Sequence, residues 1–277
     1  MSRHVSRETP ILQPNPAADP HRRGEEQSTA RADHCTNITL SLVIPAYNES
    51  TRLPHYLDSI RRYLREQLAS RYEVIVVDDG SSDHLSDVLA EIALEWNAIR
   101  TIRHAQNQGK GAAVRTGILA SRGEHILFAD ADGATPIEEE CNLREAIDAG
   151  ADVAVGSRLI DTHGRIRSRT RHRAAISRAF ASIVRRLFSV PVADTQCGFK
   201  MFRAEPGRHL FRLARENGYL FDIEVLVLAR LLGYRITEVP IHWSDQPGSH
   251  LSLWRDAPRI LMGLWRIRRR LRSLLNN

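Results

Sequence analysis

The chain reads as an α/β protein: a mostly parallel sheet flanked by helices, with basic amphipathic helices in its C-terminal part. Two patterns carry that reading. From Leu40 onward, short runs rich in Val, Ile and Leu alternate with stretches of helical spacing, and the runs are apolar at consecutive positions, as in strands buried on both faces. Clusters of acids and glycines follow several of these runs directly, where open α/β sheets bind their ligands.

The elements follow in order. Residues 1–37 hold Pro10, Pro14, Pro16 and Pro20 among charges of both signs, with no apolar core. They predict a disordered tail, and they lack the apolar stretch of a signal peptide. LSLVIPAYNE (40–49) is a strand ending in a loop at Pro45. Residues 51–69 are helical, with Leu53, Tyr56, Leu57, Ile60 and Leu64 on one face. YEVIVVDDGSSD (72–83) is a strand entering a turn, and Asp83 caps a helix over 84–96. IRTIRH is the third strand; NQGKGAAVRTGILAS (107–121) opens with glycines and becomes a helix. EHILFAD is the fourth strand, 136–148 a helix, and ADVAVGSR the fifth strand.

After Arg158 the character changes. Residues 165–186 contain eight arginines and no acid, with Ile176, Phe180, Ile183, Val184 and Leu187 at helical spacing. CGFKMFR is strand-like, helices are expected near 206–216 and 222–232, and YRITEVPIHW is the last strand. Residues 254–275 set Ile260, Leu261, Leu264, Ile267 and Leu271 among seven arginines. The expected division is a tail (1–37), one domain (38–250) and a basic C-terminal helix (251–277).

The 277 residues suffice for one large domain. A formal charge of +6 suits an anionic partner. The three cysteines, Cys35, Cys141 and Cys197, are scattered, which argues against a disulfide framework or a zinc site and for a reducing compartment. No window approaches the roughly 18 apolar residues of a membrane span, so any membrane contact is expected to be peripheral.

In FADADGAT (128–135), Asp130 and Asp132 stand two apart at a strand end. On a strand they share one side and can hold a hard cation, Mg²⁺ or Mn²⁺, that neutralises a diphosphate. The plain alternative is an exposed turn. Asp78 and Asp79 likewise read either as a DDGS turn or as acceptors for uracil N3–H or guanine N1–H. Lys110 and Arg115 stand near a helix start and meet phosphate or simply solvent. NQGKG matches neither the P-loop nor the dinucleotide fingerprint. The arginines after the fifth strand suit a phosphate monoester, which is largely dianionic at neutral pH and needs no general base; the bland reading is a solvated basic face. The two apolar stripes fit a membrane interface or packing on the sheet.

IPAYNE (44–49), VVDDGSSD (76–83), NQGKGAAVRTG (107–117), FADADGAT, GSR (156–158), DTQCGFKMF (194–202) and FDIE (221–224) occur in that order. This series resembles the family 2 glycosyltransferases of GT-A fold, and most of all their dolichyl-phosphate β-glucosyltransferase branch, related to polyprenyl-phosphate mannosyltransferases. The resemblance covers roughly 39–250. It implies inverting transfer of a sugar, glucose from UDP-glucose first, to a polyprenyl or dolichyl phosphate, at the cytoplasmic, inner face of a membrane. It implies that Pro45, Tyr47, Asn48, Glu49, Asp78 and Asp79 hold the nucleoside, and Asp130 and Asp132 the metal and diphosphate. Arg158, Arg169 and Arg173 would bind the acceptor phosphate, while Asp194, Gln196 and Lys200 would line the sugar and acceptor side; Asp222 and Glu224 match a further acidic pair. GDP-mannose as donor and a soluble acceptor remain alternatives, and a non-enzymatic basic protein binding membrane or nucleic acid leaves the ordered acids without a use. No nucleic acid partner is expected.

Overall fold

Alternation along the strands sets up two cores, one on each face of a single sheet. In the computed structural model, which describes residues 38–160, 166–167, 171–244 and 253–275, Leu42 and Ile44 join one core while Val43 joins the other. Val74 and Val76 part from Ile75 and Val77 in the same way, as the two-residue period of a strand requires. At 166–167, 171–179, 253–259 and 273–275 only the backbone is described. The expected tail, 1–37, lies outside the described residues, as does Arg169.

The chain runs β1 (Leu40–Ala46), α1 (Leu53–Leu68), β2 (Tyr72–Asp78), α2 (Leu85–Glu95), β3 (Ile99–Arg103), α3 (Lys110–Ala120) and β4 (His125–Ala129). A 3₁₀ turn (Ile137–Glu139) leads into α4 (Glu140–Asp148) and β5 (Val153–Ser157). Then come β6 (Ile166–Arg167), α5 (Arg171–Phe188), β7 (Phe199–Arg203), α6 (Ala204–Leu213), α7 (Phe221–Leu231), β8 (Ile236–Pro240), β9 (Trp243–Ser244) and α8 (Leu253–Leu275). The main sheet has seven strands in the order β3-β2-β1-β4-β7-β5-β8. All neighbours are parallel except β7, which is antiparallel to both β4 and β5. Helices α1, α2 and α4 cover one face; α3, α5, α6, α7 and α8 cover the other.

The mostly parallel sheet agrees with expectation, and four local expectations change. β1 does not stop at Pro45 but continues to Ala46. Ala46 O accepts from Asp79 N, 2.9 Å, so the alternate residue Pro45 faces β4, whose pairing with β1 has already ended at Val43. A missing N–H there breaks no ladder bond. β4 ends at Ala129, so Asp130 and Asp132 stand in the turn beyond it rather than side by side on a strand. The run YRITEVPIHW divides into β8 and β9, and the expected 206–216 helix is α6, ending at Leu213. Both basic helices use their apolar stripes in the second core: Val184 and Phe188 of α5, and Leu264, Ile267 and Leu271 of α8.

Candidate active site

Six parallel strands deliver their carboxyl ends to one edge. β7 runs the other way, so its beginning, rather than its end, reaches that edge: Ala129 pairs with Phe199. Residues 194–198 therefore arrive beside Asp130 although they lie far along the chain.

The first two loops are zipped together. Asn48, at φ +55°, receives Ser82 N–H on Oδ1 (2.9 Å), and its own N–H reaches Ser81 Oγ (3.0 Å). Glu49 pairs with Arg52; Tyr47 is exposed at the rim, and Pro45 is buried beneath. Asp83, two positions before α2 and one before its N-cap His84, accepts from Ser50 N and Leu85 N.

Asp78 and Asp79 are buried and already engaged. Asp78 accepts from Ser81 N (2.8 Å) and Ser86 Oγ (2.9 Å). Asp79 holds the glycine loop, accepting from Gln108 N (2.9 Å) and Gly109 N (2.8 Å), with the His104 ring 2.7 Å away. Gly109 has φ +101°, and a Cβ there would stand 2.5 Å from Asn217 O. That close seat brings α3's first residue, Lys110, to the site. Arg115 turns to Asn217 Oδ1, 2.6 Å.

Lys110 Nζ lies 2.7 Å from Asp130 Oδ1. Burial works against the ammonium, but Asp130 and Asp222 more than offset it and raise its pKa. Asp132 is pushed up by burial and by Asp130, against one backbone bond from Ala134. Lys110 and Arg52 pull it down as well, without offsetting the two. Tyr56 supports the turn from below, its hydroxyl donating to Thr135 O (3.1 Å). Across the strand boundary, Asp130 N donates to Gly198 O (2.9 Å), and a Cβ on Gly198 would stand 2.0 Å from Asp130 Oδ2.

Arg158 grips Asp194 with two parallel bonds, 2.8 and 2.9 Å, reaches Gln196 O at 3.1 Å, and lies 5.7 Å from the Trp243 ring centroid. Burial disfavours its charge, yet Asp194 outweighs that and raises the arginine; the same partner lowers Asp194 against its burial. Glu238 of β8 fixes the loop, accepting from Ala193 N (2.8 Å) and Asp194 N (2.9 Å). Gln196 Nε2 donates to Tyr219 O, 3.2 Å. Lys200 is only 1% exposed, held by Asp222 and Cys197 O at 2.5 Å each, under the Phe128 ring region that Lys110 also faces. Glu224 accepts from Arg215 N and Glu216 N and pairs with Arg270. The side chain of Arg173 lies outside the described residues.

The structure thus gathers Asn48, Asp79, Lys110, Asp130, Asp132, Arg158, Asp194 and Gln196 at one edge. Sequence reading missed Tyr56, Gly198, Glu238 and Trp243. Among these only Gly198, inside DTQCGFK, stood in a motif.

The class comes from the architecture: a GT-A glycosyltransferase fold, shared with glucosyl-3-phosphoglycerate synthase from Mycobacterium tuberculosis solved with Mn²⁺, UDP and phosphoglyceric acid (TM-score 0.62, 20% identity, 83% of this chain and 78% of that one). At that identity the likeness speaks for the fold alone. The chain belongs to glycosyl transferase family 2, whose family model matches residues 41–211. It is 36% identical over 255 residues to the dolichyl-phosphate beta-glucosyltransferase of Dictyostelium discoideum (84% of this chain, 78% of that one). It is 37% identical over 255 residues to the enzyme of the same name from Drosophila melanogaster (83% and 78%). The family and the glycosyl-transfer activity expected from the motifs are borne out.

Proposed function

We propose that the chain transfers glucose from UDP-glucose to a polyprenyl or dolichyl phosphate with inversion, aided by Mg²⁺ or Mn²⁺. The observation that carries this is the Asp130–Asp132 turn just beyond the end of β4, at the carboxyl edge of a family 2 domain that resembles dolichyl-phosphate glucosyltransferases over most of its length. The residues fit a hard cation: two carboxylates supply oxygen, and among the described residues no third acid, histidine or cysteine joins them, so waters and phosphate oxygens would complete the shell. When bound, the cation neutralises the departing nucleoside diphosphate.

The chain's own groups do the rest. The 45–49 loop and the Asp79-supported glycine loop wall the nucleoside. Lys110 adds positive charge beside Asp130 for the diphosphate. Arg158 holds the acceptor phosphate: Asp194 occupies Nε and one terminal nitrogen, and among the described residues none of its hydrogen bonds uses Nη1. Trp243 and Glu238 keep that guanidinium and its loop in place. Lys200 and Asp222 act from beneath as a buried support. A phosphate dianion attacks the anomeric carbon without a general base. No described helix is long and apolar enough to cross a membrane; work at the cytoplasmic face of a membrane belongs to the same proposal.

The test is incubation with labelled UDP-glucose, Mg²⁺ or Mn²⁺ and polyprenyl phosphate. A labelled lipid in the organic phase supports the reading. Label transferred only from GDP-mannose, or only to a water-soluble acceptor, overturns the donor or the acceptor respectively.

A further inference from the structure

One side of α8 is explained by the core, and the other is not. Leu264, Ile267 and Leu271 are buried, and a Cβ on Gly263 would meet Leu220 Cδ1 at 2.4 Å, so the helix lies flush on the segment before α7. The Arg270–Glu224 pair fixes its rotation. Opposite, Leu261, Met262 and Trp265 are 61%, 59% and 62% exposed. At about 3.6 residues per turn, Leu261, Trp265, Arg268 and Arg272 form one line, with Met262, Arg266 and Arg269 beside it. The Arg269 guanidinium lies 5.5 Å from the Trp265 ring centroid. No acid occurs between Ile260 and Arg272.

The helix also has a defined place. Leu220, which Gly263 touches, adjoins Phe221, whose ring is 5.7 Å from Phe128, and Asp222, the partner of Lys200. The buried side of α8 at Gly263 therefore packs beside the start of α7, which carries Asp222 to Lys200.

We propose that this face of α8 seats the enzyme on an anionic lipid bilayer, with Leu261, Met262 and Trp265 at headgroup depth and the arginines on lipid phosphates. Indole and aliphatic groups ringed by arginine suit that boundary. A second copy of the chain is a poor occupant, because the same arginines would face one another. The purpose of the contact rests on the lipid-phosphate acceptor proposed above; the contact itself does not.

The experiment is co-sedimentation of the full chain with phosphatidylcholine vesicles, with or without phosphatidylglycerol, in the absence of donor and polyprenyl phosphate. The chain pellets with the anionic vesicles and is released by salt. Leu261→Ser/Trp265→Ser weakens binding roughly tenfold or more, while Leu94→Ser, an exposed leucine on α2, leaves it unchanged. Calorimetry with UDP and Mn²⁺ gives wild-type affinity in the α8 variant, so a loss is not unfolding. Equal binding by wild type and the α8 variant, equal binding to both vesicles, or a change in the free protein's oligomeric state instead overturns the proposal. Vesicle binding without lipid glucosylation sinks the acceptor reading alone; glucosylation in detergent without vesicle binding sinks this one alone.

Discussion

Lys200 shows how much a single side chain decides here. It is buried, and its ammonium meets Asp222 and one carbonyl. Burial raises the Asp222 pKa from its ordinary value, while Lys200 and Lys110 pull against it. Lys200→Met leaves that carboxylate buried with its nearest cation gone, which costs about 3–5 kcal/mol at neutral pH. The sign of the pH dependence follows. A carboxyl whose folded pKa lies above its unfolded one loses stability as pH rises from the unfolded value through the folded one. In the variant the folded pKa climbs further, so the penalty keeps growing with pH up to that higher value and fades as Asp222 takes a proton. Urea unfolding of both proteins at neutral and mildly acid pH checks this: the gap narrows on acidification, and a gap constant with pH would refute the assignment. The sequence showed Lys200 inside DTQCGFK, but its burial was invisible there, because a lysine in a motif reads equally as a ligand contact.

At the scale of elements, β7 made the site hard to foresee. Local periodicity identified its residues as a strand, yet nothing local says that it inserts between β4 and β5 in the opposite direction. That insertion puts Gly198 against Asp130. The acids themselves were legible, since polar residues after an apolar run mark a strand's carboxyl end; the glycine's role depended on a neighbour distant in sequence. Gly198→Ala tests it. The added carbon would stand 2.0 Å from Asp130 Oδ2 and 2.2 Å from Cγ, so the carboxylate must move. Overpacking of this kind costs about 1–3 kcal/mol of stability. Affinity for UDP in the presence of Mn²⁺, measured by calorimetry, falls by roughly tenfold, equivalent to about 1.4 kcal/mol. An unchanged affinity would mean that the Asp130 carboxylate is not where the metal and diphosphate are held. The reach of α8 was half legible: its stripe was plain in the sequence, but which side the core would take depended on Leu220 and Glu224, neither adjacent in the chain.

For the whole molecule, the separation of fold support from ligand capture has a measurable consequence. Asp78 and Asp79, the most buried acids of the edge, are satisfied by backbone and side-chain donors of the protein itself. The fold at this edge therefore does not wait for a metal. Asp130 and Asp132 are different: one is matched by a lysine, the other is pushed toward protonation by burial and by its neighbour. Two carboxylates alone hold a divalent cation weakly, since Mg²⁺ and Mn²⁺ want about six oxygens, and a diphosphate alone meets an edge already carrying two acids. Each ligand supplies what the other lacks. Thermal unfolding should accordingly show small shifts with Mn²⁺ alone and with UDP alone, and a larger shift with both than the sum of the two. Ligands at about 100 times their Kd stabilise by about 2.7 kcal/mol, which is several degrees for a domain of this size. Asp132→Asn, which keeps the shape of the turn and removes one negative charge that burial and Asp130 disfavour, should abolish the excess while raising, not lowering, the ligand-free midpoint. Additive shifts in the wild type, or an excess that survives in Asp132→Asn, would place the cation elsewhere.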